Sequence, residues 1–124
     1  MSVLNIAKFT TASITISATS GGASGNVLYT CPANHDGLVR FLNVTNGTTS
    51  SKKVSIEIYQ ASTTSYKNLV NDLSMSANTL ADIILGGSLL HLNAGDKLVC
   101  HMESGATFDV TTSVEEHYEP HKSS

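Results

Sequence analysis

The stretch KVSIEIYQ, residues 53–60, switches between apolar and polar side chains at every step, with Val54, Ile56 and Ile58 on one side and Ser55, Glu57 and Tyr59 on the other. That period of two belongs to an extended chain, in which successive side chains leave opposite faces of a pleated ribbon. A helix would need apolar residues three and four apart, a rhythm this stretch lacks. It reads as a half-buried strand, one face toward a core and one toward water.

The neighbouring segments repeat the theme. GLVRFLNVTNG, residues 37–47, is apolar on both faces at Leu38, Val39, Phe41 and Leu42, as expected of a strand covered on both sides or one that meets a partner. Asn46-Gly47 then opens a turn, although the polar residues that follow make it longer than a two-residue hairpin. Upstream, NVLYT (26–30) is a strand halted by Pro32, which has no amide hydrogen for a ladder. SITIS (13–17) alternates as well, and TSGGASGN (19–26) between the two reads as a flexible polar turn. Downstream, ASTTSYKN (61–68) reads as a loop, with a short strand starting around Leu69, Val70 and Leu73. ANTLADIILGG (77–87) and SLLHL (88–92) give two brief strands, and DKLVCHM (96–102) and TFDVTTSVEEHY (107–118) a final pair joined across Ser104-Gly105. Short β-branched segments at this spacing, divided by Gly, Asn, Ser and Asp, predict an all-β chain: a single antiparallel β-sandwich, jelly-roll-like, of about 8–9 strands. Residues 1–19 are an N-terminal arm or the first strands, 20–119 the sandwich, and 120–124 a tail expected to fray.

Composition agrees and excludes. With 124 residues the chain suits one domain and one core. Only 14% of it is charged, and about a quarter is Ser or Thr, far from the make-up of charge-rich helical proteins. A net charge of −3 with 7 scattered Lys and Arg offers little to a phosphate backbone or an anionic lipid surface, so neither nucleic acid nor membrane is expected as a partner. The first residues lack the unbroken apolar stretch of a signal peptide, and the longest apolar run elsewhere, Ile83 to Leu85, cannot cross a bilayer. Synthesis in a cytoplasm is the expectation, and the two cysteines, Cys31 and Cys100, then read as thiols, with pairing between them left open.

One stretch invites a chemical reading. LNAGDKLVCHMESG, residues 92–105, packs Cys100, His101 and Glu103 into four positions. On a strand, Leu98, Cys100 and Met102 share one face while Lys97, Val99, His101 and Glu103 share the other, so thiol and imidazole point apart. A zinc site or a Cys-His pair needs its groups to converge, which strand neighbours do not. Cys100 therefore belongs to a core, and Asn93, Gly95 and Asp96 form a turn, with Asp96 bonding backbone rather than substrate. His35, His91, His101, His117 and His121 match no metal-ligand spacing; a site built on His101 and Glu103 would need His91 or His117 as well. The adjacent Glu115 and Glu116 face opposite sides of a strand, poor geometry for acid and base acting on one bond. No nucleophile motif or phosphate loop is present, and the tyrosines are scattered. The expectation is a protein that is not an enzyme, without catalytic residues, metal or cofactor.

The order NVLYTCPANHDGLVRFLNVTNGTTSSKKVSIEIYQ (26–60), LSMSANTLADIILGGSLLHLNAGDKLVC (73–100) and GATFDVTTSVEEHYE (105–119) resembles a group of small virion proteins of tailed bacteriophages. The likeness rests on a strand ending in a Pro-Ala-x-His turn, a strand closing in V-T-N, a V-x-I-x-I strand, an A-N turn, an L-x-A-G-D-K-L turn and a last strand ending near Glu-Tyr. It spans roughly three quarters of the chain. It implies a β-sandwich of the virion, made in the host cytoplasm, that binds the capsid as a decoration or cement subunit, with the major capsid protein as partner. A neck, tail or fibre-base position is the alternative. Such proteins act by shape and commonly form symmetric homo-oligomers, a trimer among the options. Val3, Leu4, Ile6 and Phe9 supply apolar side chains that a small sandwich cannot bury alone, and they are the candidate partner contacts. From another class, a carbohydrate-binding host-adsorption module would use the loops around Tyr66, His35 and Asp36.

Overall fold

A computed structural model describes residues 7–84 and 89–118. Nine strands follow one another: β1 (Ala7–Thr15), β2 (Asn26–Thr30), β3 (His35–Asn46), β4 (Lys52–Gln60), β5 (Ser65–Met75), β6 (Leu80–Asp82), β7 (Leu90–Leu92), β8 (Lys97–Met102) and β9 (Phe108–Tyr118). One turn of 3₁₀-helix, Gly22–Ser24, precedes β2, and there is no α-helix among the described residues.

All pairings are antiparallel and nested. β4 pairs with β5, β3 with β6 and β7, β2 with β8, and β1 with β9, as in a long hairpin folded about residues 61–64. Rolling that hairpin brings β9 beside β3 and β8 beside β4, giving one sheet in the order β1-β9-β3-β6, with β7 also on β3, and a second in the order β2-β8-β4-β5. This is a jelly roll, a β-sandwich whose successive strands cross between two sheets. β6 and β7 take up different lengths of β3, Asn43–Thr45 and Gly37–Val39, so together they do the work of one strand. Phe108, Leu42, Ile56, Leu92 and Leu98 fill the space between the sheets with Val39, Val44, Val110 and Val114.

Three local features depart from the sequence reading. β5 begins at Ser65, so half of the expected loop 61–68 is strand. Tyr66 lies opposite Tyr59, and the sheet partner overrides the weak strand preference of its polar neighbours. β3 carries a bulge between Val39 and Phe41. The extra residue, Arg40, shifts the phase of the strand, so that Val39 and Leu42 both point into the core while Leu38 and Phe41 point out. The hydroxyl of Thr112, itself fully buried, donates to the Phe41 carbonyl at 2.8 Å and satisfies an acceptor beside the bulge. Finally, β4 is not half-buried: Ser55 and Glu57 are enclosed along with Val54 and Ile56.

Two contacts lie behind that last difference: the Ser55 hydroxyl accepts from the Asp72 amide of β5 at 2.9 Å, and Glu57 is covered from upstream. The segment around the 3₁₀ turn, expected to be a flexible loop, lies flat on the outer face of the β2-β8-β4-β5 sheet. The side-chain carbonyl of Asn26 accepts from the amides of Ser17 and Ala18 at 2.7 and 2.9 Å. The Met102 amide donates to the Ala18 carbonyl, and the Gly22 amide to the Glu57 carboxylate at 2.8 Å. Glycine is needed for so close an approach: a β-carbon on Gly25 would come within 2.5 Å of Val99 Cγ1, and one on Gly21 within 2.5 Å of Glu57 Oε1.

Candidate functional site

Residues 92–105 form structure, in which Asp96 and Glu103 bond backbone amides and Cys100 is buried. Asp96 is 7% exposed. Its carboxylate accepts from the Asn93 amide and from the Ala61 amide, both at 3.0 Å, clamping the 93–96 turn to the β4–β5 turn. The backbone of the turn also holds the end of β2: Cys31 N donates to Asp96 O at 2.8 Å and Gly95 N to Cys31 O at 2.9 Å, with Gly95 at φ +87°. Cys100 faces the core and His101 the opposite side, where its Nδ1 lies 3.7 Å from Glu57 Oε1 beneath the glycine cover. His91 and His117 belong to the other sheet and cannot join His101 and Glu103. Among the described residues no group of three His, Cys, Asp or Glu gathers as a metal ion would require.

The two thiols are buried and apart. Cys31 sits beside Asp96, four residues before Cys100, so about 13 Å separates them at the strand rise, against the ~7 Å limit for a disulfide. Burial, with the Glu57 carboxylate adding, pushes the Cys100 thiol up to about 12. Burial, then the nearby Glu116, Asp36 and Asp96 carboxylates, pushes Cys31 up to about 11. A thiolate nucleophile needs the opposite setting, exposed and electropositive.

Adjacent to Cys31 lies the most unusual polar pair. Glu115 and Glu116 do face opposite sides, as strand geometry dictates, and Glu116 points into the sandwich, 5% exposed. The Tyr29 hydroxyl donates to its Oε2 across the gap between the sheets, and the Thr10 hydroxyl to its Oε1 at 3.4 Å. Burial first, then the Glu116 carboxylate, hold the Tyr29 phenol well above its ordinary value. The pair ties β2 to β9.

What is presented to solvent is the outer face of the β1-β9-β3-β6 sheet. Glu115 lies in register with Phe9 on one side and Leu38 on the other, and Phe41 lies one pleat along, opposite Ser113. Phe9 is 65% exposed and Phe41 40%. The charge between them is neutralised internally: Arg40 Nη1 donates to Glu115 Oε1 at 2.7 Å, and His117 Nε2 lies 2.6 Å from Oε2. Phe9 is therefore in a strand and on a patch, whereas Val3, Leu4 and Ile6 lie outside the described residues. Sequence alone pointed to the patch through Phe9, among the candidate partner contacts, and through the two-faced VRFL of β3.

On the other sheet, Tyr59 and Tyr66 form a tilted ring pair with centroids 4.8 Å apart, and Lys97 Nζ stands 5.3 Å from the Tyr59 centroid. The tyrosines that look scattered in the sequence thus make one small aromatic surface. His35 packs instead against Tyr118, 5.2 Å between rings.

No family model matches this chain. Nor does any characterised protein match it by sequence. By fold it is similar to a chain from the structure of Bacillus endospore appendages, described as a novel family of disulfide-linked pili, with a TM-score of 0.55 at 10% identity over 94% of this chain and 92% of that one. It is also similar to a chain of the infectious bursal disease virus Gx strain, with a TM-score of 0.51 at 11% identity, covering 95% of this chain and 34% of that one. At such identities the likeness concerns the fold.

Proposed function

We propose that this protein is a non-enzymatic structural subunit that works by docking its sheet surfaces onto other subunits of a particle. The observation that carries the reading is the outer face of the β1-β9-β3-β6 sheet, where Phe9, Leu38 and Phe41 surround a Glu115 already paired with Arg40 and His117. An apolar patch whose central charge is neutralised can enter an interface without stranding an ion, the main cost of burying charged groups. The disposition of the reactive side chains supports the same reading, since both thiols, Asp96 and Glu116 are spent inside the fold.

Within that role, the bacteriophage-like order of turns favours a virion subunit that decorates the capsid and stabilises the particle, with the major capsid protein as partner. A neck, tail or fibre-base position is the alternative. Relatives in fold occur in a pilus and in a virus structure, which suits an assembly subunit. A disulfide-linked assembly does not suit this chain: its two cysteines are 1% and 0% exposed. Val3, Leu4 and Ile6 would extend the apolar contact begun by Phe9. The test is co-sedimentation of purified protein with particles lacking it, comparing the full chain, a chain missing residues 2–6, and Phe41→Ser. Binding lost in the variants is expected. Undiminished binding by both would overturn the assignment of this face.

The Tyr59–Tyr66 surface with Lys97 beside it supports a second reading, a carbohydrate-binding adsorption module, because sugar rings stack on tyrosine faces. Glycan binding abolished by Tyr66→Ala would favour it over capsid decoration.

A further inference from the structure

A jelly roll leaves open edges, and a sheet edge is a row of unpaired amides and carbonyls that recruits another strand unless something blunts it. Among the described residues, three of the four edges are blunted. β6 and β7 have three residues each, and β2 has five with a register shift after Val27. β5 is long, but its pairing with β4 shifts register twice, Asp72 sits at φ +51°, and Lys67 and Asp72 add charge. β1 has fewer of these devices than any other edge, a single charge at one end. It pairs with β9 in an unbroken register of nine residues, carries no Pro or Gly, and has Lys8 as its one charge.

The direction of its free groups follows from one bond. Ile16 N donates to Phe108 O at 2.9 Å, and the β1–β9 register extends to that pair. In an antiparallel ladder, bonded and non-bonded pairs alternate. The backbone groups of Lys8, Thr10, Ala12 and Ile14 therefore face β9, while those of Ala7, Phe9, Thr11, Ser13 and Thr15 face the open edge. Among the described residues nothing pairs with them.

We propose that β1 is a self-pairing edge: two copies of this chain join β1 to β1 antiparallel about a two-fold axis at Thr11. This deepens the reading of the chain as an assembly subunit and rests on it. The partner is a second copy because the edge that matches β1 in length and straightness is β1 itself. With the axis at Thr11, Ala7 faces Thr15 of the other copy, Phe9 faces Ser13, and Thr11 faces Thr11, so every free odd-numbered group meets one of the same parity. Lys8 falls opposite Ile14, three residues from the axis, which keeps the two ammonium groups about 20 Å apart along the strands. A parallel pairing would stack like charges. The result is a continuous sheet that sets two Phe9–Leu38–Phe41 patches side by side on one surface.

The test uses the full-length chain in sedimentation velocity, with covalent trapping. Wild type is expected to sediment as a dimer. Thr11→Cys should cross-link to a covalent dimer under mild oxidation, over a low background because Cys31 and Cys100 are buried. Thr11→Lys should weaken the dimer at least tenfold through like-charge repulsion at the axis. Thr11→Pro removes an outward-facing amide and should give a folded monomer, whereas Ala12→Pro breaks the ladder to β9 and should lower the melting temperature. A wild-type monomer at all concentrations, or a dimer that Thr11→Cys fails to trap and Thr11→Lys fails to weaken, overturns the inference. If particles are still bound in that case through Phe41, the subunit role stands and self-pairing alone is wrong; loss of both would remove both.

Discussion

Replacing Asp96 by Ala tests most directly whether residues 92–105 are a wall or a site. Its carboxylate accepts two backbone amides at 3.0 Å, those of Asn93 and Ala61, in a setting 7% exposed. Hydrogen bonds to a charged acceptor contribute about 1.5–3 kcal/mol each, and water can reach part of the turn, so the expected loss is about 3 kcal/mol. A chain of this length has an unfolding entropy near 0.26 kcal/mol/K, so the melting temperature should fall by about 10 °C. Asp96→Asn keeps one acceptor oxygen and should lose about half as much. With no Trp in the sequence, the assay is urea unfolding followed by far-ultraviolet circular dichroism, and the midpoint should move while the m-value stays. An Asp96→Ala protein within 0.5 kcal/mol of wild type, or an Asn variant as damaged as the Ala variant, would refute the clamp.

Other consequences can be measured alongside. Neither Cys31 nor Cys100 should react with a thiol reagent at pH 8 until urea unfolds the chain. Because both thiols are held protonated in the fold, their contribution is intact below the ordinary value near 9 and should drain away as pH rises toward about 11–12, visible as a falling urea midpoint. Phe108→Ala should cost about 3–5 kcal/mol through the cavity it leaves, whereas Phe9→Ala, on the surface, should change monomer stability by less than about 0.5 kcal/mol. Tyr29→Phe leaves the Glu116 carboxylate without its strongest donor and should destabilise by about 2 kcal/mol; adding Glu116→Gln should restore part of that, measured as a double-mutant cycle.

Most of the strands were legible because an alternating pattern reports which side of a ribbon is dry. β2 and β7 to β9 fall close to where the residues place them, and the opposed directions of Cys100 and His101, and of Glu115 and Glu116, follow from the two-residue repeat. Where the reading went astray, a contact distant in sequence intervened. Ser65 to Asn68 are strand because β4 is there to pair with them. Glu57 looks solvent-facing and is buried where a glycine-rich segment some thirty residues upstream lies over it, and Ser55 is buried with its hydroxyl accepting from the Asp72 amide of β5.

The patch and the edge belong to the same category. Phe9, Leu38 and Phe41 are far apart in the chain, and they meet only because β9 lies between β1 and β3 and because the Arg40 bulge turns Phe41 outward. By itself the sequence determined that this is an antiparallel all-β sandwich with its thiols and turn acid in structural positions, since side-chain alternation and turn chemistry are local properties. The tertiary structure decided which edge stays open, which face keeps its phenylalanines, and which charges cancel, since register and burial depend on strands that the chain brings together only by folding.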